Sequence, residues 1–363
     1  MPRSIVALAS LALAATQAVA APCTFDGPRA TFAELIASEG LPGGGFLVGT
    51  SQGLLAEHYY GSYTPDTVVP IASASKLLGA ARIVQVAERG QADLDAPVST
   101  VLPQFTGVKG TMTLRQMFSH TAGYGNDSAS PVLLDDGITL AQAVDLIACC
   151  RPLNSGYSVG GQFSYGGISM HVAGRVAEVV GGGDWEQRWQ SEIGAPLGIS
   201  TIDWQGLGPT ANYGIGGSAR SSLRDYGRFL QMLANDGYGN HHRVLRGSSV
   251  AELGVDRVED RPIAYAPPNA APPVRYGLGA WLSTQAVAPS LLHSLGAFGF
   301  LPWVDRERRL YGAFMIRGSG GVNDAAYPAY ATMLAGIITE FDAAACTPIA
   351  LEDGIFAAGF EAF

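Results

Sequence analysis

The chain has 363 residues, enough for one large domain or two lobes around a substantial core. Only 15% of them are charged and the formal net charge is -9, which argues against a nucleic-acid partner, because such a partner needs a basic face. The acidic balance does not by itself name another partner.

Residues 1–20 read as an export signal, with Arg3 as the positive end, Ile5 to Ala15 as a short apolar core and Ala18-Val19-Ala20 as the cleavage site. That apolar run is too short for a stable transmembrane anchor. The mature chain is therefore expected to be secreted or periplasmic, by a bacterial export route, with no membrane anchor. Four cysteines, Cys23, Cys149, Cys150 and Cys346, fit such an oxidising compartment. They allow three pairings, between which the sequence does not choose. Cys23 with Cys346 is the first guess, because the two flank the presumed domain. The remaining pair would then be a bridge between adjacent residues. Neither the cysteines nor the six histidines have metal-ligand spacing, and no cofactor is implied. His241-His242 lies in a polar turn and reads as solvated.

Residues 29–39 read as a helix with Phe32, Leu35 and Ile36 on one side and Gly40 as its stop. Gly45 to Thr50 and Leu54 to Tyr60 read as two strands around the turn Ser51-Gln52-Gly53. Ile71-Ala-Ser-Ala-Ser-Lys76 follows, with Ser73 and Lys76 in the spacing Ser-x-x-Lys. Beyond it Leu77, Leu78, Ala81, Val84 and Ala87 recur at helical spacing, so Ser73 is expected to open a buried helix. Residues three apart on a helix share a face, which lets the lysine amine reach the serine hydroxyl. A serine is a weak nucleophile until a base takes its proton, and a lysine whose charge is disfavoured by its surroundings serves as that base. Positive charge at the helix N-terminus favours the forming alkoxide. Ser75 is the rival nucleophile, but its own third neighbour is Leu78.

Helices are expected over 113–118, 139–149, 168–181 and 220–235, a loop over the Pro- and Ala-rich 262–274, and short strands over 276–283, 299–304 and 310–317. A helix over about 326–342 ends the pattern, and 346–363 reads as a tail. Strands at both ends and helices between them give an α/β (α+β) class. An antiparallel sheet flanked by the terminal helices is built from about 29–76 and 275–343, and a mainly helical lobe, about 77–274, is inserted in it. The whole domain is expected over 21–345, with the ligand cleft at the junction of the lobes.

Several stretches resemble one family. Ser73-Ala-Ser-Lys76 resembles the first motif of serine β-lactamases and penicillin-binding proteins. Thr113-Leu-Arg-Gln-Met-Phe-Ser-His-Thr-Ala-Gly123, Gln162-Phe-Ser-Tyr165, the stretch Gly216 to Phe229, Tyr276-Gly-Leu-Gly279 and Gly296-Ala-Phe-Gly-Phe300 resemble the class C-like branch in order and spacing, over roughly residues 40–340. The resemblance implies Ser73 as the acylated nucleophile, Lys76 as its proton acceptor and Tyr165 as the group that shuttles the proton of the leaving group. It implies an oxyanion hole from the backbone N–H groups of Ser73 and Ala297, and a structural His120.

The chain also departs from the family pattern. The second motif reads Tyr165-Gly-Gly167, without its asparagine. The third reads Ser294-Leu-Gly296, or places His293 at the lysine position if shifted by one residue. The family's holders of acylamide and carboxylate are then missing, and a site that lacks a hydrogen bond to a substrate group loses its preference for substrates carrying that group. Substrate contacts are expected from Tyr124, His293, Ser294, Gly296 and Phe298, with Phe300 completing an apolar rim. The expected activity is hydrolysis of a small ester, as in the esterase-like (family VIII-like) relatives. The alternatives are a D-alanyl-D-alanine carboxypeptidase or β-lactamase-type amide hydrolase, and a catalytically silent binding protein. The oligomeric state stays open.

Overall fold

The computed structural model describes residues 23–127, 130–270, 272–319, 321–344 and 346–349. The export signal expected over 1–20 and most of the tail expected over 346–363 lie outside the described residues.

Helix α1 (Asp26–Ser38) buries Phe32, Leu35 and Ile36, and hands the chain to strands β1 (Gly43–Thr50) and β2 (Gly53–Gly61). Four later strands complete one antiparallel sheet: β3 (Trp281–Leu282), β4 (Leu291–His293), β5 (Leu301–Asp305) and β6 (Leu310–Met315). The order across the sheet is β2-β1-β6-β5-β4-β3. The N-terminal hairpin thus joins the C-terminal strands through β1 and β6, in register from Gly45 opposite Met315 to Thr50 opposite Leu310. A disulfide between Cys23 and Cys346 ties the same two ends, and Cys149 pairs with Cys150.

Side chains alternate across the pleat, so each strand serves two cores. On one face Phe46, Leu301, Trp303 and Phe314 pack under α1 and the C-terminal helix Val322–Ala343, where Phe314 stacks on Tyr330 at 4.8 Å. On the other face Leu47, Val304, Tyr311 and Met315 join the larger core shared with the helices.

Helix α2 (Ser75–Glu88) runs through that larger core, buried at every residue from Ser75 to Val86. A helix buried all round needs its polar side chains satisfied. Arg82 accordingly donates to Gln85 at 2.7 Å and pairs with Glu192. Helix α3 (Leu114–Phe118) meets α2 through Phe118 beside Gly79, and α4 (Leu140–Cys150) packs on the next helix, α5 (Ile168–Gly181), which itself lies against α2. Reciprocal capping boxes, Thr113 with Gln116 and Thr139 with Gln142, start α3 and α4.

Some expected elements come out differently. Helix α6 (Leu223–Ala234) packs on the sheet through Leu223 and Tyr226, so the α/β lobe includes it although it falls within the 77–274 span. The 262–274 loop carries a three-residue strand, Ile263–Tyr265, parallel to Phe163–Ser164. The strand expected over 276–283 shortens to Trp281–Leu282, because at the sheet edge only β4 offers pairing.

Candidate active site

The segment leading to Ser73 is fixed before the helix begins. Strand Val68–Pro70 pairs with Arg220–Ser222, and Ile71 N–H donates to the Ala219 carbonyl at 2.9 Å. Ala72 then adopts φ 45°, left-handed backbone that is unusual for alanine and costs about 1–3 kcal/mol. A 3-10 turn, Ala72–Ala74, carries Ser73 one step ahead of α2 rather than on its first turn. Three hydroxyls hold the turn through four bonds. The Ser75 hydroxyl donates to the Ala72 carbonyl at 2.6 Å and accepts from Ala219 N–H at 3.0 Å. The Tyr226 hydroxyl donates to the Ala74 carbonyl at 2.7 Å. The Ser294 hydroxyl donates to the Ser73 carbonyl at 2.9 Å. Ser75 is fully buried in this role, whereas Ser73 is part-exposed at the cleft.

Lys76 Nζ donates to Ser73 Oγ at 3.0 Å and to the Gly216 carbonyl at 2.7 Å. It also lies 4.7 Å from the centre of the Tyr165 ring, although Tyr165 comes from a different lobe segment, just ahead of α5. The Tyr165 ring stacks on Trp281 at 5.3 Å and lies 4.5 Å from His120. His120 Nδ1 accepts from Gly166 N–H at 3.4 Å, so Nε2 carries the proton toward the Tyr276 hydroxyl at 3.3 Å. Burial, with the Lys76 charge adding to it, holds this imidazole well below the usual histidine range, so it is neutral. Asp127 Oδ1 accepts from Gly167 N–H at 2.6 Å and Ile168 N–H at 3.3 Å at the start of α5, while burial raises its carboxyl. A Cβ on Gly166 would lie 2.2 Å from that oxygen, so only glycine permits the arrangement.

The opposite wall is the end of β4. Ser294 N–H bonds the Pro302 carbonyl and Gly296 N–H the Phe300 carbonyl, so the alternating N–H groups of Leu295 and Ala297 face away from β5. On that side β3 has already ended. Ala297 and Ser73 line the same cleft. A Cβ on Gly296 would meet the Ile71 carbonyl oxygen at 2.1 Å, so the glycine lets the end of β4 close on the segment that carries Ser73. His293 also lines the cleft; its Nδ1 is buried without a partner, and burial lowers its pKa to about 4.

Other expected contacts lie elsewhere. Tyr124 is 3% exposed, packed in the larger core with its hydroxyl toward the Arg151 carbonyl, because the chain around Asn154 covers its loop, Asn154 donating to the Gly123 and Gly125 carbonyls. The Ser294 side chain is turned to the Ser73 carbonyl, on the face of β4 away from the cleft. Phe298 is outside the lining, at the hairpin beyond Ala297, and Phe300 is fully buried against Tyr226 at 5.0 Å. The structure adds Trp281, Asn126, Arg275, Asn323 and Tyr327 to the lining. Arg275 is paired with Asp256 at 3.0 Å and is the only charged lining side chain among the described residues. Trp281 falls in the stretch expected to be a strand, but the other four carry no local motif.

With the geometry in hand, known proteins provide a comparison. The profile of the Beta-lactamase family matches residues 28–337. The chain is similar to a solved structure from Bacteroides dorei DSM 17855 named as a beta-lactamase, with a TM-score of 0.76 and 30% identity, covering 87% of this chain and 99% of that one. It is 29% identical over 140 residues to penicillin-binding protein 4 of Amycolatopsis lactamdurans, which is 38% of this chain and 36% of that protein. It is 28% identical over 171 residues to esterase EstB of Burkholderia gladioli, 43% of each. The chain thus spans about two fifths of the length of the curated relatives it matches.

Proposed function

The chain belongs to the Beta-lactamase family and is a serine hydrolase-type enzyme, and from that premise we propose that it cleaves an uncharged ester through an acyl-enzyme on Ser73. The observation that carries the reading is the 3.0 Å contact of Lys76 Nζ with Ser73 Oγ beside the Tyr165 ring. Lys76 takes the serine proton as Oγ attacks the ester carbonyl. Negative charge develops on the carbonyl oxygen, where the N–H groups of Ser73 and Ala297 stabilise it. Tyr165 passes a proton to the departing alkoxide, and the acyl-enzyme is then hydrolysed by water with the proton transfers reversed.

The choice of an ester follows from what the opposite wall offers. Gly167 has no side chain to hold an acylamide. Ser294 spends its hydroxyl on the Ser73 carbonyl, and His293 is neutral in the physiological range. A neutral donor holds a carboxylate less strongly than a charged one. Esterase EstB, among the relatives, fits this reading.

One observation favours a second reading: Arg275, the charged lining residue, has donors beyond the one given to Asp256. A guanidinium there suits a peptide carboxylate, as a D-alanyl-D-alanine peptidase needs. Export is part of the proposal and rests on the pattern of residues 1–20 and the Cys23–Cys346 pair. The test is intact mass after fluorophosphonate treatment, then turnover of p-nitrophenyl esters beside D-alanine release from a D-Ala-D-Ala peptide. Labelling on Ser73 with ester turnover supports the first reading. D-alanine release that outpaces ester turnover supports the second. N-terminal sequencing of the exported form, expected to begin at Ala21, checks the signal.

A further inference from the structure

The cleft does not end at the catalytic serine. It encloses about 650 Å³, within the usual range for small-molecule sites, and continues past Ser73, Tyr165 and Ala297 along the far face of β4. Leu291, His293 and Leu295 alternate onto that face, and pairing places Trp303 of β5 beside His293. Opposite them, helix α7 (Val322–Ala343) presents Tyr327, Ala331 and Leu334, spaced as one helical stripe. Because β3 has two residues and β4 three, the sheet stops short of this stripe, and the space between strand and helix stays open.

The lining of this arm is mainly apolar, with Leu291, Leu295, Ala331 and Leu334 beside the rings of Trp303 and Tyr327. Its only charged neighbour among the described residues, Arg275, belongs to a different element, between the 263–265 strand and β3. Its polar atoms are few and uncharged: Asn323 Nδ2 donates to the Gly296 carbonyl at 3.1 Å and the Tyr330 hydroxyl to the Gly299 carbonyl at 2.6 Å, while His293 Nδ1, Trp303 Nε1 and Asn323 Oδ1 are buried without partners. Nothing here clamps a charge, whereas a flexible hydrocarbon gains contact along the whole length.

Resting on the ester-hydrolase reading and extending it, we infer that the arm between β4 and α7 receives a medium-length hydrocarbon chain of the substrate, and so sets chain-length preference. The chain belongs either to the acyl group or to the alcohol, since both radiate from the carbon attacked by Ser73. The side chains that select it are Leu295, Tyr327, Ala331 and Leu334.

The experiment measures kcat/KM on two series: p-nitrophenyl acetate, butyrate, octanoate and dodecanoate, and acetates of ethanol, butanol and octanol. Each methylene that enters an apolar site is worth roughly fourfold. One series is therefore expected to rise at least tenfold from its short to its eight-carbon member, and which series rises says which side of the ester occupies the arm. Ala331→Trp is expected to lower the octyl-to-acetyl (or octyl-to-ethyl) ratio at least tenfold by filling the arm from a part-exposed helix position. Tyr327→Ala, which opens the arm, is expected to move the optimum toward longer chains, and it carries the test if the tryptophan variant does not fold. Flat series, or a preference that neither variant moves, in an enzyme that fluorophosphonate labels and that turns over acetate, overturn the inference and leave the hydrolase reading standing. No labelling and no turnover of any ester overturn both.

Discussion

The two walls of the cleft are built differently. The wall that carries Ser73, Lys76 and Tyr165 is a set of polar side chains in mutual contact, with every carbonyl of the turn at residues 72–74 bonded by a hydroxyl from Ser75, Ser294 or Tyr226. The wall formed by the end of β4 contributes backbone: the N–H of Ala297 and the glycine at 296, with neutral or apolar side chains around them. Acyl transfer needs positioned side chains on the first wall and only N–H groups on the second. Side-chain identity on the second wall is therefore free to set the substrate, and in this chain the side chains around Ala297 are neutral or apolar.

The largest effect comes from breaking the first wall at its centre. Ser73→Ala is expected to lower ester turnover by at least about a thousandfold, with an unchanged circular dichroism spectrum, because the nucleophile is part-exposed and the turn is held by other residues. Covalent labelling at Ser75, or near-normal activity of the variant, would refute the assignment. Next, Lys76→Ala and Tyr165→Phe are each expected to cost roughly 10²–10⁴-fold, and the double variant little more than the worse single, since members of one catalytic unit are not additive. Multiplicative losses would show that the two act independently.

The second wall is probed by substrate. p-Nitrophenyl butyrate is expected to exceed nitrocefin in kcat/KM by on the order of a hundredfold, because the nitrocefin carboxylate finds no charged donor here and a hydrogen bond to a charged group is worth about 1.5–3 kcal/mol. Burial lowers the His293 pKa from 6.5 to about 4, so the ring gains charge only as the pH falls through about 4. The ester-to-nitrocefin ratio is therefore expected to be flat between pH 6 and 8. Stability carries the matching sign. Above the unfolded value of 6.5 the ring is neutral folded or unfolded, and below it the unfolded chain takes the proton first, so the melting temperature should decline from pH 6.5 toward 4. A nitrocefin rate equal to the ester rate would mean that the second wall recognises a carboxylate after all, with Arg275 the residue to test.

The same contrast explains what could be read before the fold was known. The Ser73–Lys76 pair is local: three residues apart, across the 3-10 turn and the first residues of α2, the two side chains meet as their spacing predicts. Helix 168–181 is likewise visible from its own apolar period, and the structure gives Ile168–Gly181. Tyr165 has no local partner and entered only through resemblance. The second wall is tertiary throughout. Whether Ser294 points into the cleft or back to the Ser73 carbonyl depends on the pleat phase of β4, set by pairing of His293 with Trp303. Asn323 and Tyr327 reach the cleft because α7 docks on the sheet, and no motif near them announces it. Tyr124 and Phe300 sit beside family-like motifs and are aromatic, yet each is consumed by the core.

The smallest effect tests a bond that joins the two walls. The Ser294 hydroxyl donates to the carbonyl of Ser73 across 2.9 Å, and Ser294 is 2% exposed, so water does not replace the bond when it is lost. A net hydrogen bond of this kind is worth about 0.5–1.5 kcal/mol, which corresponds to a roughly two- to tenfold change. Ser294→Ala is expected to lower kcat by that factor, because the Ser73 N–H shares its turn with the released carbonyl and the oxyanion hole loosens. KM for p-nitrophenyl butyrate is expected to stay within about twofold, since the hydroxyl faces away from substrate. Ser294→Thr, which keeps a hydroxyl, should recover most of the loss. A large rise in KM with kcat preserved would place the Ser294 hydroxyl on the substrate instead, and the second wall would then contribute a side-chain contact as well as backbone.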